Sequence, residues 1–247
     1  VNAHKINEGE LVEPRKESKD FLFVMRDDPG RAIGATITLL RDKLPSYVHA
    51  DMNELQVLTP MRKGALGVEN LNRVLQEALN PASPSKMEHE FPFGIFREGD
   101  KVMQIRNDYQ LEWVVGSGIS QERGQGVFNG DTGVIRFISL FDETVTVEFE
   151  EGRTVVYPFG TCDELELAYA VTIHKSQGSE YPAVILPLIS GPRMLMTRNL
   201  LYTAVTRAVN CVCIVGKYET FAEMIRTNPE NRRYSGLREM IEESYAG

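Results

Sequence analysis

Ala170-Val171-Thr172-Ile173-His174-Lys175-Ser176-Gln177-Gly178-Ser179-Glu180-Tyr181 is the stretch on which the reading of this chain turns. It opens on apolar residues that read as the end of a strand. Hydroxyl, imidazole, ammonium, amide and carboxylate groups then follow in quick succession. Open α/β sheets hold ligands beyond the carboxyl ends of their strands, and Gly178 permits close backbone approach to a phosphate. Taken alone, the run reads equally as a capped helix start carrying solvated side chains. A second stretch, Leu200-Leu201-Tyr202-Thr203-Ala204-Val205-Thr206-Arg207-Ala208, places Arg207 after an apolar helical segment and before an apolar run. A guanidinium at such a helix end can stabilise the charge of a transferring phosphoryl group. By itself it can also be an ordinary surface salt bridge.

The flanks support a parallel sheet. Residues 183–188 (AVILPL) and 211–216 (CVCIVG) are continuous apolar runs, as expected of strands buried on both faces. Residues 21–26 read as a further strand. Asp27-Asp28-Pro29 supplies a helix start, and Ile33, Ile37 and Leu40 line one face of a helix over about residues 30–43. Residues 56–59 form the next strand, and Leu71, Val74, Leu75 and Leu79 recur at helical spacing. Helical spacing returns over residues 194–208, and residues 218–226 read as a last helix. Strands alternating with helices predict an α/β fold with a parallel sheet. Between residues 99 and 157 the pattern changes to short alternating runs at 101–105, 133–138, 145–149 and 154–157. The turn signals Asn129-Gly130-Asp131, Asp142-Glu143 and Glu151-Gly152 separate them. They predict a small antiparallel β-barrel or sheet inserted into the α/β domain. Residues 112–125, rich in Gly, Ser and Gln, read as a mobile connection, and the polar residues 1–20 as a linker or detached edge.

The 247 residues suit one large domain, or a domain carrying a smaller insert. A net charge of -8 excludes a chain that coats nucleic acid by bulk positive charge, so any such contact must come from local groups. Cys162, Cys211 and Cys213 read as buried thiols in a reducing compartment, because the Cys-x-Cys pair has no matching zinc half-site. No signal peptide or membrane-length apolar run is visible, which predicts a cytoplasmic protein with no membrane partner. No acidic cluster has a metal-ligand pattern. Asp142, Glu143, Glu148, Glu150 and Glu151 read as a solvated hairpin face.

The two opening stretches, separated by an apolar strand, resemble motifs V and VI of superfamily 1 helicases. Residues 56–67 (QVLTPMRKGALG) followed by Leu71-Asn72 and Leu75-Gln76 resemble motif IV of the RecD/TraA-type branch. Gly99-Asp100-Lys101-Val102-Met103-Gln104, Asn107-Asp108-Tyr109 and Val127-Phe128-Asn129-Gly130-Asp131-Thr132-Gly133 resemble that branch's insert, and Asn2-Ala3-His4 resembles the stretch after motif III. The resemblance implies the second RecA-like (P-loop NTPase-type) motor domain, 2A, at residues 21–97 and 160–247. It implies an SH3-like 2B insert at 98–159, with 1–20 ending the preceding motor domain. It also implies roles. Arg207 is the arginine finger on the γ-phosphate of ATP. Gln177, Gly178 and Glu180 lie on the nucleotide side, as does one of Arg62 and Lys63, between which the sequence does not choose. Thr172 and His174, with Asn129 and Gly130 from the insert, face single-stranded DNA, although Asn129-Gly130 is also a plain hairpin-turn signal. The implied activity is ATP-dependent translocation, 5′ to 3′, with duplex unwinding. The sequence contains no phosphate-binding Gly-x-x-x-x-Gly-Lys-Ser/Thr loop. The expectation is therefore a piece of a longer protein, inactive alone, whose ATP and Mg²⁺ are held mainly by a preceding domain 1A. Partners implied are single-stranded DNA, domain 1A and other recombination-repair subunits. The alternative is a non-catalytic DNA-binding or docking module of a recombination-repair complex.

Overall fold

The computed structural model describes residues 2–14, 18–116 and 121–228. Five parallel strands form the main sheet: β1 (Phe21–Met25), β2 (Gln56–Thr59), β12 (Ala170–Thr172), β13 (Tyr181–Leu188) and β14 (Ala208–Gly216), in the order β1-β14-β13-β2-β12. The apolar runs alternate between the faces of this sheet, as the strand period of two requires. Val184, Leu186, Leu188, Val212 and Ile214 point to one core. Ala183, Ile185, Cys211, Cys213 and Val215 point to the other. The first face is covered by α1 (Asn2–Glu8), α5 (Arg198–Val205) and α6 (Tyr218–Arg226). The second is covered by α2 (Pro29–Thr38), α3 (Leu44–Val48) and α4 (Val68–Leu79). This is the doubly covered parallel sheet the strand–helix alternation predicts.

Local chemistry sets the helix ends. Asp28 caps α2 by accepting from the Arg31 N–H at 3.0 Å, with Pro29 in the first turn. The predicted helix over 30–43 is not continuous: α2 ends at Thr38, and Leu39–Lys43 widens into a π-type turn. Pro45 accounts for this, since it has no N–H to donate and its ring crowds the preceding turn. Thr197 caps α5 by accepting from Leu200, so α5 starts later than residue 194. Residues 1–20 are not simply a linker. The short helix α1 buries Ile6 completely in the first core, and Val12 joins it.

The remaining strands are antiparallel. β3 (Glu88–Phe91) and β4 (Gly94–Arg97) form a hairpin. A second sheet contains β5 (Lys101–Gln104), β6 (Asp108–Val115), β7 (Glu122–Val127), β8 (Thr132–Ser139), β9 (Thr144–Phe149), β10 (Thr154–Pro158) and β11 (Leu165–Leu167). Its order is β11-β5-β8-β9-β10-β6-β7, and the described pairings do not close it into a ring. Its core holds Ile135, Val145, Val147 and Tyr157. The unit extends beyond residues 98–159. Phe91 and Phe96 of the hairpin lie in that core, and β11 pairs with β5. The supposed mobile connection at 112–125 is largely the paired hairpin β6–β7, a ladder held by backbone groups that side-chain composition conceals. Residues 117–120 within it lie outside the described residues.

Candidate functional site

Motif residues 172–180 run between opposite edges of the parallel sheet. Thr172 lies beside Thr59 at the carboxyl ends of β12 and β2, whereas Tyr181 opens β13 at its amino end beside Ala208. Val57 pairs with both Ala170 and Ile185, so Thr172 is level with Pro187, six strand positions above Tyr181. At the usual rise per residue the segment descends about 20 Å. Ser176 is its buried pin, donating its hydroxyl to the Ile173 carbonyl at 2.8 Å.

At the upper edge, Glu166 of β11 accepts from Lys175 at 2.8 Å and from Arg62 at 3.2 Å. Burial raises the Glu166 carboxyl's pKa, but the two cations more than offset this and hold it below the usual carboxylate value. Arg62 also lies 4.0 Å from Glu69, and it shares a small pocket with Thr172 and Lys175. Lys63 is exposed and makes no ion pair among the described residues. The structure therefore brings Arg62 to Thr172 and not to Gln177, Gly178 and Glu180.

At the lower edge, Gln177, Gly178 and Glu180 face Asn129 and Gly130 of the β7–β8 turn across a cleft of about 390 Å³. Asp131, Thr132, Glu150, Arg153, Lys175, Ser179 and Tyr181 complete its walls. Gly178 has φ +92° and nothing near the position of a side chain. Asn129-Gly130 is a turn, with Gly130 at φ +104°. It also stands in this cleft, away from Thr172. His174 lies in a neighbouring groove with Gln177, Asn199 and Thr203. The Tyr181 hydroxyl is buried with no hydrogen-bond partner among the described residues. Burial raises its pKa.

Arg207 joins the two stretches. Its guanidinium donates to the Ser179 carbonyl at 3.1 Å, the Thr203 carbonyl at 3.2 Å and the Thr206 hydroxyl at 3.3 Å. All three acceptors are neutral, and no carboxylate pairs with it among the described residues. A half-buried guanidinium held by neutral acceptors keeps its full charge for an anion.

Sequence reasoning missed a buried polar joint between insert and sheet. Asp100, fully buried, accepts from Gln76 (2.6 Å), Asn80 (2.7 Å), the Arg97 N–H (2.7 Å) and the Tyr169 hydroxyl (2.9 Å). Burial pushes its carboxyl pKa up, and these donors pull back only in part. Lys101 donates to the Leu55 carbonyl at 3.0 Å and to Gln56 at 2.9 Å. Gln56 in turn donates to the Ala168 and Tyr169 carbonyls, just ahead of the motif segment. The only signal was a pair of charged residues, Asp100 and Lys101, where a strand begins.

The three cysteines are buried and unpaired, and burial pushes the Cys162 and Cys213 thiols up to about 12. Among the described residues no group of acidic, His and Cys side chains could hold a metal, and no helix is long and apolar enough to cross a membrane.

Residues 71–149 match the model of the ATP-dependent RecD-like DNA helicase SH3 domain, and residues 167–215 that of the UvrD-like helicase C-terminal domain. The chain is 38% identical over 154 residues to the ATP-dependent RecD2 DNA helicase of Deinococcus radiodurans, a match covering 62% of this chain and 19% of that protein. It is 32% identical to the RecBCD enzyme subunit RecD of Mycolicibacterium smegmatis, covering 68% of this chain and 26% of the relative. It thus spans only a minor part of these curated relatives. A Pif1 helicase structure from Bacteroides, in complex with ADP-AlF3 and ssDNA, aligns over 99% of this chain and 52% of its own, with 18% identity and a TM-score of 0.48.

Proposed function

The chain is of RecD type, carrying a RecD-like helicase SH3 domain and a UvrD-like helicase C-terminal domain, and from that premise we propose that it is the second motor half of an ATP-dependent DNA helicase. The observation that carries the reading is Arg207: a charged guanidinium at the end of α5, bound only to neutral acceptors and tied directly to the motif segment through Ser179. ATP and Mg²⁺ are held by a separate motor domain of the full-length protein. Arg207 reaches the γ-phosphate when the two halves close and neutralises the charge spreading over the transferring phosphoryl group. Gln177, Gly178 and Glu180 adjoin the nucleotide. Of the two motif IV cations, Lys63 is the freer to take a phosphate, because Arg62 is already engaged by Glu166 and Glu69. Thr172 and His174 hold single-stranded DNA, Asn129 and Gly130 of the insert touch it separately at the other end of the motif segment, and repeated closure moves the strand 5′ to 3′ and unwinds duplex.

Substituting Arg207→Ala in the full-length protein tests this. Loss of an arginine finger lowers turnover by roughly 10³–10⁵-fold. We expect ATP hydrolysis to fall by that order with single-stranded DNA binding retained, and the isolated chain to hydrolyse no ATP. Turnover that survives the substitution removes the finger assignment; a full-length parent that hydrolyses no ATP with single-stranded DNA present removes the motor reading.

A further inference from the structure

The β6–β7 hairpin and the turn that follows it hold two aromatic rings out in solvent. Tyr109 is 67% exposed and Phe128 42%, in an edge-to-face pair with centroids 5.6 Å apart. Three features fix them there. Asp108 pairs with Val127 and Glu112 with Gln125, so Tyr109, Gln110 and Leu111 bulge opposite the single residue Gly126. Bulges of this kind re-aim side chains. The Asp108 carboxylate accepts from the Gln110 and Leu111 N–H groups at 2.8 and 3.1 Å, which locks the bulge. Gly126 has φ +102°, a conformation that favours glycine, and a Cβ there would stand 3.0 Å from the Phe128 ring and crowd it. Neither ring serves the insert's own core. The Asn129 N–H donates to the Asn107 side chain at 2.9 Å, so the pair directly adjoins the cleft lined by Asn129 and Gly130.

We propose that Tyr109 and Phe128 are a base-stacking platform for single-stranded nucleic acid at the rim of the Asn129-Gly130 cleft. The inference rests on the nucleic-acid reading above and names the part of the strand taken up here: the base rather than the phosphate. The surroundings fit a base. The flanking side chains are amides (Asn107, Gln110, Asn129), which hydrogen-bond base edges, and Asp108 is occupied by its own backbone. Every base has a π-face, so such a platform tolerates any sequence.

The test is fluorescence anisotropy on the full-length protein without nucleotide, using labelled oligo-dT and an abasic oligomer of equal length. Tyr109→Ala and Phe128→Ala are each expected to weaken oligo-dT binding about 5- to 150-fold and leave abasic binding unchanged. The slope of affinity against salt stays the same, because no phosphate contact is lost. Tyr109→Trp restores oligo-dT binding. Far-UV circular dichroism and the urea unfolding midpoint report whether the variants are folded, and Tyr109→Leu replaces the alanine variant if it is not. Unchanged oligo-dT affinity, or an equal loss on the abasic oligomer, overturns the platform alone. A parent protein that binds neither oligomer overturns the nucleic-acid reading together with it.

Discussion

Lys101 is an ammonium with almost no contact with water, 5% exposed, and its replacement by methionine gives a stability change whose pH dependence the structure fixes. Burial pushes its pKa from 10.5 down to about 8, against the weaker opposing pull of Glu150, Asp51 and Glu54. Below about pH 8 the group is charged whether the chain is folded or not, and the cost of burying it is fully present. Between about 8 and 10.5 the folded protein has released the proton and the unfolded chain still holds it. The unfolded state then binds more protons, so stability rises with pH. At 1.36 kcal/mol per unit the full window is worth roughly 3 kcal/mol. Urea unfolding of the parent and of Lys101→Met, followed by far-UV circular dichroism at about pH 7.5 and 10, isolates this group, because other titrations cancel in the difference. The parent is expected to gain roughly 2–3 kcal/mol on the variant between the two conditions. A difference that stays constant across that range would show that Lys101 is not desolvated as described, and the reasoning would fail.

Asp100→Ala should destabilise by about 3–5 kcal/mol, since it strands four buried donors; a loss below about 1 kcal/mol by the same unfolding assay would mean that water or side-chain movement satisfies them. Gly216→Ala should prevent accumulation of folded protein, because the new Cβ would lie 1.8 Å from the Leu188 carbonyl oxygen. That oxygen accepts from Lys217 and cannot retreat freely. A soluble variant with a parental unfolding midpoint would contradict the close approach of β13 and β14.

The parallel sheet was legible because its strands are buried on both faces and must be apolar at every position, as residues 183–188 and 211–216 are. α4 was legible because its single buried face repeats at helical spacing. The hairpin β6–β7 was not. Its ladder is built from backbone groups, its exposed positions carry Gln, Glu and Arg, and composition alone makes that look like a linker. α1 escaped notice for a related reason: a two-turn helix can be anchored by Ile6 alone, and one residue sets no period. Within the candidate site, the motif segment and Arg207 stood out because their chemistry is contiguous. Glu166 did not, since it meets Arg62 and Lys175 from different parts of the chain, and Tyr181 read as the first apolar residue of a strand.

The joint at Asp100 and Lys101 bears on how the insert can act at all. Two apolar surfaces in contact can slide past one another at little cost, because dispersion and burial have no direction. A joint made of a carboxylate with four donors, and of an ammonium with two acceptors, has one arrangement in which every group is satisfied. Displacing it leaves buried charge unpaired. Lys101 holds Gln56, and Gln56 holds the Ala168 and Tyr169 carbonyls that lead into the motif segment. Glu166, on the last strand of the insert, grips Lys175 inside that segment. The insert is thus fixed to the motif at its start and along its course. The insert that carries the Asn129-Gly130 turn and the Tyr109–Phe128 pair is thereby tied to the α/β sheet through β5 and β11, and on the proposed reading a strand bound there moves when the sheet does.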